Sequence, residues 1–261
     1  MFGMSNPEQV ISQFERYAQE GRLEIAEVMS TELAERLLNE KNRDIEKQHF
    51  LVRTLRGNSS ILLQREKYKL CKNASKMLQK HRKILNQMAK KTKRIEMVDS
   101  NISTVANDEI VFACAEIGLK NLLRSLNHLN KANKLRPLDS EICILMLEAR
   151  ITIKGKLGGS KSACKKLIHS LENNGPVILK NGHFIFSPEG YIPRYISQLL
   201  PRLELISNTE KLDSKYKQKI IDSIADINSQ IEAINAGEQA ANEKLAKAID
   251  SLNPTSDYYS Y

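Results

Sequence analysis

Residues 57–98 carry two periodic patterns that a helix satisfies together. Apolar residues such as Leu63, Leu70 and Met77 recur every seven positions, with others three or four positions away. Basic residues recur with the same spacing, and at 100° per residue they fall on the opposite side of a helix. Asn58-Ser59-Ser60 is typical of a helix start, so one long amphipathic helix is predicted over about 60–96. Its basic side consists of Arg65, Lys69, Lys72, Lys76, Lys80, Lys83, Lys90 and Arg94.

Positive charge is concentrated in the same segment. Residues 57–98 contain twelve Lys and Arg but two Asp and Glu, a net charge of +10, whereas the whole 261-residue chain has +9. The flanking segments 1–56 and 201–261 are net acidic. This asymmetry predicts an anionic partner, unless flanking carboxylates such as Glu24 and Glu27 lie across the basic side and neutralise it.

The rest of the chain is also typical of helices, because only 11 Gly and 7 Pro interrupt it. Asn6-Pro7 suits a helix start, Gly21 separates the first two helices, and Pro137 separates two later ones. The periodicity predicts helices over about 6–20, 22–40, 43–55, 108–135, 139–154, 161–173 and 194–207.

One segment has a different period. Residues 177–180 and 183–186 are apolar runs on either side of Asn181-Gly182. Asn-Gly between apolar runs is typical of a two-residue turn, since both turn residues need positive φ. We expect a small β-hairpin over 177–186.

Isoleucines in a four–three alternation mark the C-terminal region. This spacing is typical of a coiled-coil seam, and Gly237 is expected to break or kink it. Two interpretations stay open, namely packing within the chain and a helical partner or homo-oligomer through residues 209–252. The seam consists of Ile220, Ile224, Ile227, Ile231 and Ile234.

The sequence contains none of the enzyme signatures that we sought. It lacks a phosphate-binding Gly-rich loop, a nucleophile elbow and a zinc-protease motif. Asp108 and Glu109 are interpreted as helix-start residues, and His81 as a packing residue on the apolar side of the basic helix. We therefore predict a chain that is not an enzyme, with no catalytic residue, cofactor or metal.

The cysteines and hydropathy bear on the compartment. Cys71, Cys114, Cys143 and Cys164 are far apart and form no CxxC motif, so we expect reduced core residues of a cytoplasmic protein. No run of 18 apolar residues predicts a membrane span.

Residues 21–27 and 109–139 resemble the tetratricopeptide-repeat family. Gly21 stands at the turn between two helices, and Ala26 where those helices touch. No 34-residue period links the two segments, and the family's usual aromatic positions are missing. The resemblance implies stacked helix pairs with a concave surface for peptides, and hence an adaptor role. Within 109–139 the family's contact positions fall on Ala113 in a first helix and on Ser125, Leu129 and Ala132 in a second.

We expect an all-α chain, an irregular tetratricopeptide-like array of helical hairpins with one β-hairpin insertion and a C-terminal coiled-coil-like segment. Five segments are predicted. They are an N-terminal helical hairpin region at 1–56, the long basic helix at 57–98, a helical region at 99–208, the isoleucine-seam helices at 209–253 and a flexible tail at 254–261.

The predicted function is that of a helical adaptor that binds a protein partner, with a basic helix suited to an anionic one. The alternative is nucleic-acid binding, because residues 161–186 are also similar to the recognition helix and wing of a winged-helix domain. A membrane surface is disfavoured, since the apolar side of the basic helix has Ala, Cys and Met rather than Trp or Phe. In the winged-helix interpretation the phosphate contacts are Lys161, Lys165, Lys166 and Lys180.

Overall fold

A computed structural model describes residues 6–137, 139–153, 161–174, 201, 203–209 and 212–252. Every regular element in this part is helical, which confirms the predicted all-α class. The hairpin predicted at 177–186 and the tail at 254–261 lie outside the described residues. The helices are α1 (Pro7–Gln19), α2 (Leu23–Asn39), α3 (Ile45–Gln64), α4 (Tyr68–Lys91), a 3-10 turn (Ile95–Met97), α5 (Ile102–Gly118), α6 (Leu122–Leu135), α7 (Ser140–Thr152), α8 (Lys161–Asn174) and α9 (Ser214–Leu252).

The chain divides into two compact units, 1–167 and 168–261. In the first unit each helix from α1 to α7 packs against the next, and α3 also contacts α1 and α5. No helix of the described residues is both long and apolar enough to cross a membrane.

Three helix pairs share one turn. Gly21, Glu66 and Lys120 follow α1, α3 and α5, and all three have φ near +60° to +80°. After each, a backbone N–H reaches back five residues to a carbonyl of the ending helix, at 2.8 to 2.9 Å. In these three places the left-handed cap reverses the chain within three residues, so α1–α2, α3–α4 and α5–α6 are hairpins of one type. The same cap also ends α4 at Lys93, where the 3-10 turn follows instead of a paired helix.

The single helix predicted over 57–98 is wrong, because the chain forms α3 and α4 there. Gly57 lies within α3, where a Cβ would lie 2.5 Å from Cε2 of Phe14. Asn58, expected to cap a helix, is buried, and its amide donates to Oγ1 of Thr31 at 3.0 Å. These contacts with α1 and α2 give Gly and Asn a packing role.

Two smaller expectations also need correction. Residues 108–135 are not one helix, because Lys120 ends α5 and α6 follows it. Gly237 does not break α9, which continues from Ser214 to Leu252. A helix interior tolerates an isolated glycine at a cost of about 1 kcal/mol.

Three apolar clusters are described in the first unit, and one of them joins α3 and α4 to α5 through Leu62, Cys71 and Ala115. The other two are larger. One joins α1 to α4 around Phe14, Leu37 and Leu85, and the other joins α5, α6 and α7. The small and apolar positions picked out by the repeat resemblance are all buried, namely Ala26, Ala113, Ser125, Leu129 and Ala132.

In the second unit the described core includes part of the isoleucine seam. Ile220 is buried and Ile224 is half-buried. Leu203 and Ile206 are buried as well. The side chains of Ile227, Ile231 and Ile234 lie outside the description, so the coiled-coil seam stays a prediction.

Candidate anion-binding surface

The exposed side of α4 is a row of cations. Its buried side contains Cys71, Leu78 and Leu85, which forces the opposite side outward. Leu70, which the periodicity places on the apolar side, is 51% exposed, so that part of the prediction is wrong. At 1.5 Å per residue the row extends about 32 Å from its first lysine to its last. We call it the lysine face, and it consists of Lys69, Lys76, Lys80, Lys83 and Lys90, all exposed.

His81 lies on the buried side of α4, and its predicted packing role is confirmed. It is 5% exposed, and Nε2 of Gln48 donates to its backbone carbonyl at 2.9 Å. Burial lowers the pKa of the His81 ring, and the positive charge of Arg43 adds to that effect. The neutral ring is therefore part of the α3–α4 contact.

No carboxylate of the described residues forms an ion pair with the lysine face. α4 itself contains no Asp or Glu. The five charges of the lysine face therefore add along one line instead of cancelling pairwise, which produces a positive potential at this surface.

The other three predicted cations are paired. Carboxylates of the flanking residues 1–56 contribute to the pairs of Arg65 and Arg94, as predicted, whereas Lys72 pairs with a carboxylate of α5, which was not predicted. Arg65 contacts Glu24 and Glu27 at 2.9 and 2.6 Å, so these carboxylates neutralise it and hold α2 against α3–α4. Arg94 contacts Glu46 and Glu96 at 3.2 and 3.1 Å. Both arginines therefore have structural pairs and fall outside the lysine face.

Lys72 is the third paired cation and points towards α5. Its Nζ lies 2.9 Å from Oε1 of Glu116, which is 2% exposed. Asn121 Nδ2 donates to the same carboxylate at 2.7 Å. Burial alone would raise the pKa of Glu116, but the hydrogen bonds from Lys72 and Asn121 outweigh it and hold the pKa below its ordinary value. Glu116 is therefore a fixed anion between α4 and α6.

Asp108 and Glu109 are not helix-start residues, because α5 begins at Ile102 and both are buried within it. Asp108 accepts hydrogen bonds from Arg56 on α3 and Arg82 on α4. Burial raises the pKa of Asp108, while the two guanidinium groups act in the opposite direction. These ion pairs fix the position of α4 relative to α5.

A groove of about 640 Å³ opens between α4 and α6, above α5. Lys76 of the lysine face lines one side, and Arg124, Lys131 and Lys134 of α6 line the other. All four side chains are in exposed residues. The three α6 residues were not predicted from the sequence, although they share a helical side opposite the buried Leu129.

Buried groups order the α6 side of the groove. Glu109 Oε2 lies 2.6 Å from Nδ1 of His128 and 3.8 Å from Nζ of Lys131. Gln79 of α4 donates to its other oxygen at 2.9 Å. The ring of His128 also stacks on Phe112, with centroids 3.9 Å apart and planes at 23°. Contacts from α4 and α5 therefore fix the position of the α6 side of the groove.

Comparison with protein-family models, curated proteins and solved structures finds no match to this chain. No group of three His, Cys, Asp or Glu side chains in the described part is arranged to hold a metal ion.

No described contact joins the predicted phosphate-binding lysines of residues 161–186 to the lysine face or to the groove. Lys161, Lys165 and Lys166 are exposed on α8. Lys180 and the rest of the predicted wing lie outside the described residues, so the winged-helix interpretation stays a prediction.

Proposed function

We propose that this chain is a non-enzymatic adaptor that binds an anionic macromolecule on the lysine face of α4. The observation that carries the proposal is the row of five exposed lysines without an ion-pair partner in the described residues. Such a row attracts a polyanion over its whole length and loses that attraction as salt increases.

The three hairpins with identical turns support the adaptor role. Repeated helix pairs position long binding surfaces on a rigid support, and Gly21, Glu66 and Lys120 mark the same point in each pair. The tetratricopeptide-like interpretation is part of this proposal. These three residues are 45 and 54 positions apart, so the array is irregular compared with that family's period of about 34 residues.

Two classes of partner suit the lysine face. An acidic protein segment is the class predicted from the sequence, and nucleic acid is the alternative. Both place negative charges close together along one line. The groove beside Lys76 is the specific observation that favours the second class.

Charge reversal tests the proposed function. In the first variant Lys69, Lys80 and Lys83 become Glu. In a matched control Lys41, Lys215 and Lys244, which are exposed residues outside α4 and α6, become Glu. Each substitution removes two charges, so both variants fall from +9 to a formal +3.

Binding of poly-glutamate and of duplex DNA is measured by fluorescence anisotropy at several salt concentrations. The lysine-face variant is expected to lose at least about tenfold in affinity for whichever polyanion the wild type binds, because several contacts to negative charges are lost. The control is expected to lose much less. Equal losses in both variants, or no binding by wild type at low salt, would overturn the proposal.

A further inference from the structure

The groove between α4 and α6 has a strong excess of positive charge. Four Lys and Arg side chains line it, whereas the lining includes one carboxylate, that of Glu116. Lys72 already neutralises that carboxylate at 2.9 Å. Among the four cations only Lys131 forms a described ion pair, with Glu109 at the long distance of 3.8 Å. The charge of Arg124 also acts on Glu116 and helps to lower its pKa.

The groove also offers neutral hydrogen-bond donors. Asn127 and Asn130 line it and are exposed on α6. Amide and cationic donors together are the usual groups that contact the phosphates and sugars of a nucleic-acid backbone.

An apolar anchor for a protein partner is missing from the groove. Its lining contains one apolar side chain, that of Phe112, which is 3% exposed beneath His128. Protein interfaces derive most of their affinity from aromatic or apolar residues buried at their centre. A partner that binds by charge and hydrogen bonds alone fits this lining better.

The same lining argues for a duplex over a single strand. Single-stranded nucleic acids bind with their bases stacked on exposed aromatic side chains. Phe112 is covered, and the ring of His128, which also lines the groove, is stacked on it with its side chain only 13% exposed. A duplex keeps its bases stacked inside and presents phosphates outward, one per about 3.4 Å of helix axis on each strand. The lysine face, about 32 Å long, therefore matches roughly nine base pairs.

We propose that the groove and the adjoining lysine face together bind the backbone of a nucleic-acid duplex, without base specificity, with Lys76 common to both. Arg124, Lys131 and Lys134 contact phosphates from the α6 side. The proposal rests on the proposed function, because it uses the same lysine face, and it specifies the partner.

The test uses the full chain and labelled 20-base-pair duplexes of DNA and RNA, the matching single strands, and poly-glutamate. The groove variant is Arg124→Gln with Lys134→Gln, and its control is Lys41→Gln with Lys215→Gln, which removes the same charge. A second variant, Asn127→Asp, places one negative charge in the groove. Circular dichroism and thermal unfolding establish that each variant is folded.

We expect the groove variant to bind duplexes about tenfold more weakly, while the control stays within twofold of wild type. The slope of log affinity against log salt concentration should become shallower by about 2, since two phosphate contacts are lost. Asn127→Asp should weaken duplex binding in the same direction. Neither variant changes the lysine face. Poly-glutamate bound to that face alone should therefore bind both variants as tightly as it binds wild type.

Unchanged duplex affinity in the folded groove variant would overturn the inference, as would tighter binding of single strands than of duplexes. Binding of poly-glutamate but of neither duplex would also overturn it and would leave the proposed function standing. If no polyanion binds the wild type, both this inference and the proposed function are overturned.

Discussion

At Gly57 the missing side chain is what lets α1 pack against α3. A Cβ there would lie 2.5 Å from Cε2 of Phe14, whose side chain is fully buried. Gly118 has the same role beneath the ring of Tyr68. Gly237 in α9, by contrast, would have no atom within 4 Å of an added Cβ.

These glycines allow a matched test at the scale of one residue. Gly57→Ala should lower the free energy of unfolding by about 1–3 kcal/mol, because the gain in helix propensity is smaller than the cost of overpacking. Gly237→Ala should leave it unchanged or raise it by up to about 1 kcal/mol. Urea denaturation followed by circular dichroism measures both. A Gly57→Ala variant as stable as Gly237→Ala would contradict the contact with Phe14.

At the scale of elements, the turn between paired helices does not depend on glycine. Of the three shared positions only Gly21 is glycine, and Glu66 and Lys120 adopt the same left-handed conformation. That conformation costs a residue with a Cβ about 1–2 kcal/mol. Hydrogen bonds of the cap and packing of the two helices offset this cost.

The turn after α5 therefore allows a second matched comparison. Lys120→Gly should raise the free energy of unfolding by about 1 kcal/mol, because glycine relieves the left-handed strain. The same change at Lys80, exposed within α4, should lower it by about 1 kcal/mol. Thermal unfolding of the two variants shows directly whether each is more or less stable than wild type. A loss of stability in Lys120→Gly would show that its side chain contributes more than the strain costs.

The amphipathic side of α4 was predicted from spacing alone, whereas the helix boundaries were not. Apolar and basic periods along residues 68–91 need only local neighbours to be recognised. The end of α3 at Gln64 instead reflects the left-handed cap at Glu66 and the burial of Asn58 against Thr31. Neither glutamate nor lysine is typical of such a cap, so the sequence had no local signal for it.

At the scale of the whole molecule, the position of the positive charges is expected to affect binding to a charged partner more than the net charge does. The Lys69, Lys80 and Lys83 variant and its Lys41, Lys215 and Lys244 control have equal net charge, but only the first removes charge from one continuous surface. A cation exchanger contacts a protein through its most positive side, since charges beyond about 10 Å are screened at 0.1 M salt.

We therefore expect the lysine-face variant to elute from a cation-exchange column at clearly lower salt than the control, with wild type last. This measurement needs no knowledge of the partner. Coincident elution of the two variants would mean that the lysine face is covered or neutralised in solution.

The sequence by itself determined the helical class, the cap at Asn6 and Pro7, the turn at Gly21 and the segregation of cations from apolar residues on α4, because each depends on residues within a few turns of one another. Tertiary structure decided which cations are free to bind. Arg65 and Glu27 are 38 positions apart, and Lys72 and Glu116 are 44 apart, so no local pattern distinguishes Lys72 from Lys76. The groove likewise required α4 and α6 to be placed on either side of α5, by buried contacts between residues distant in the chain.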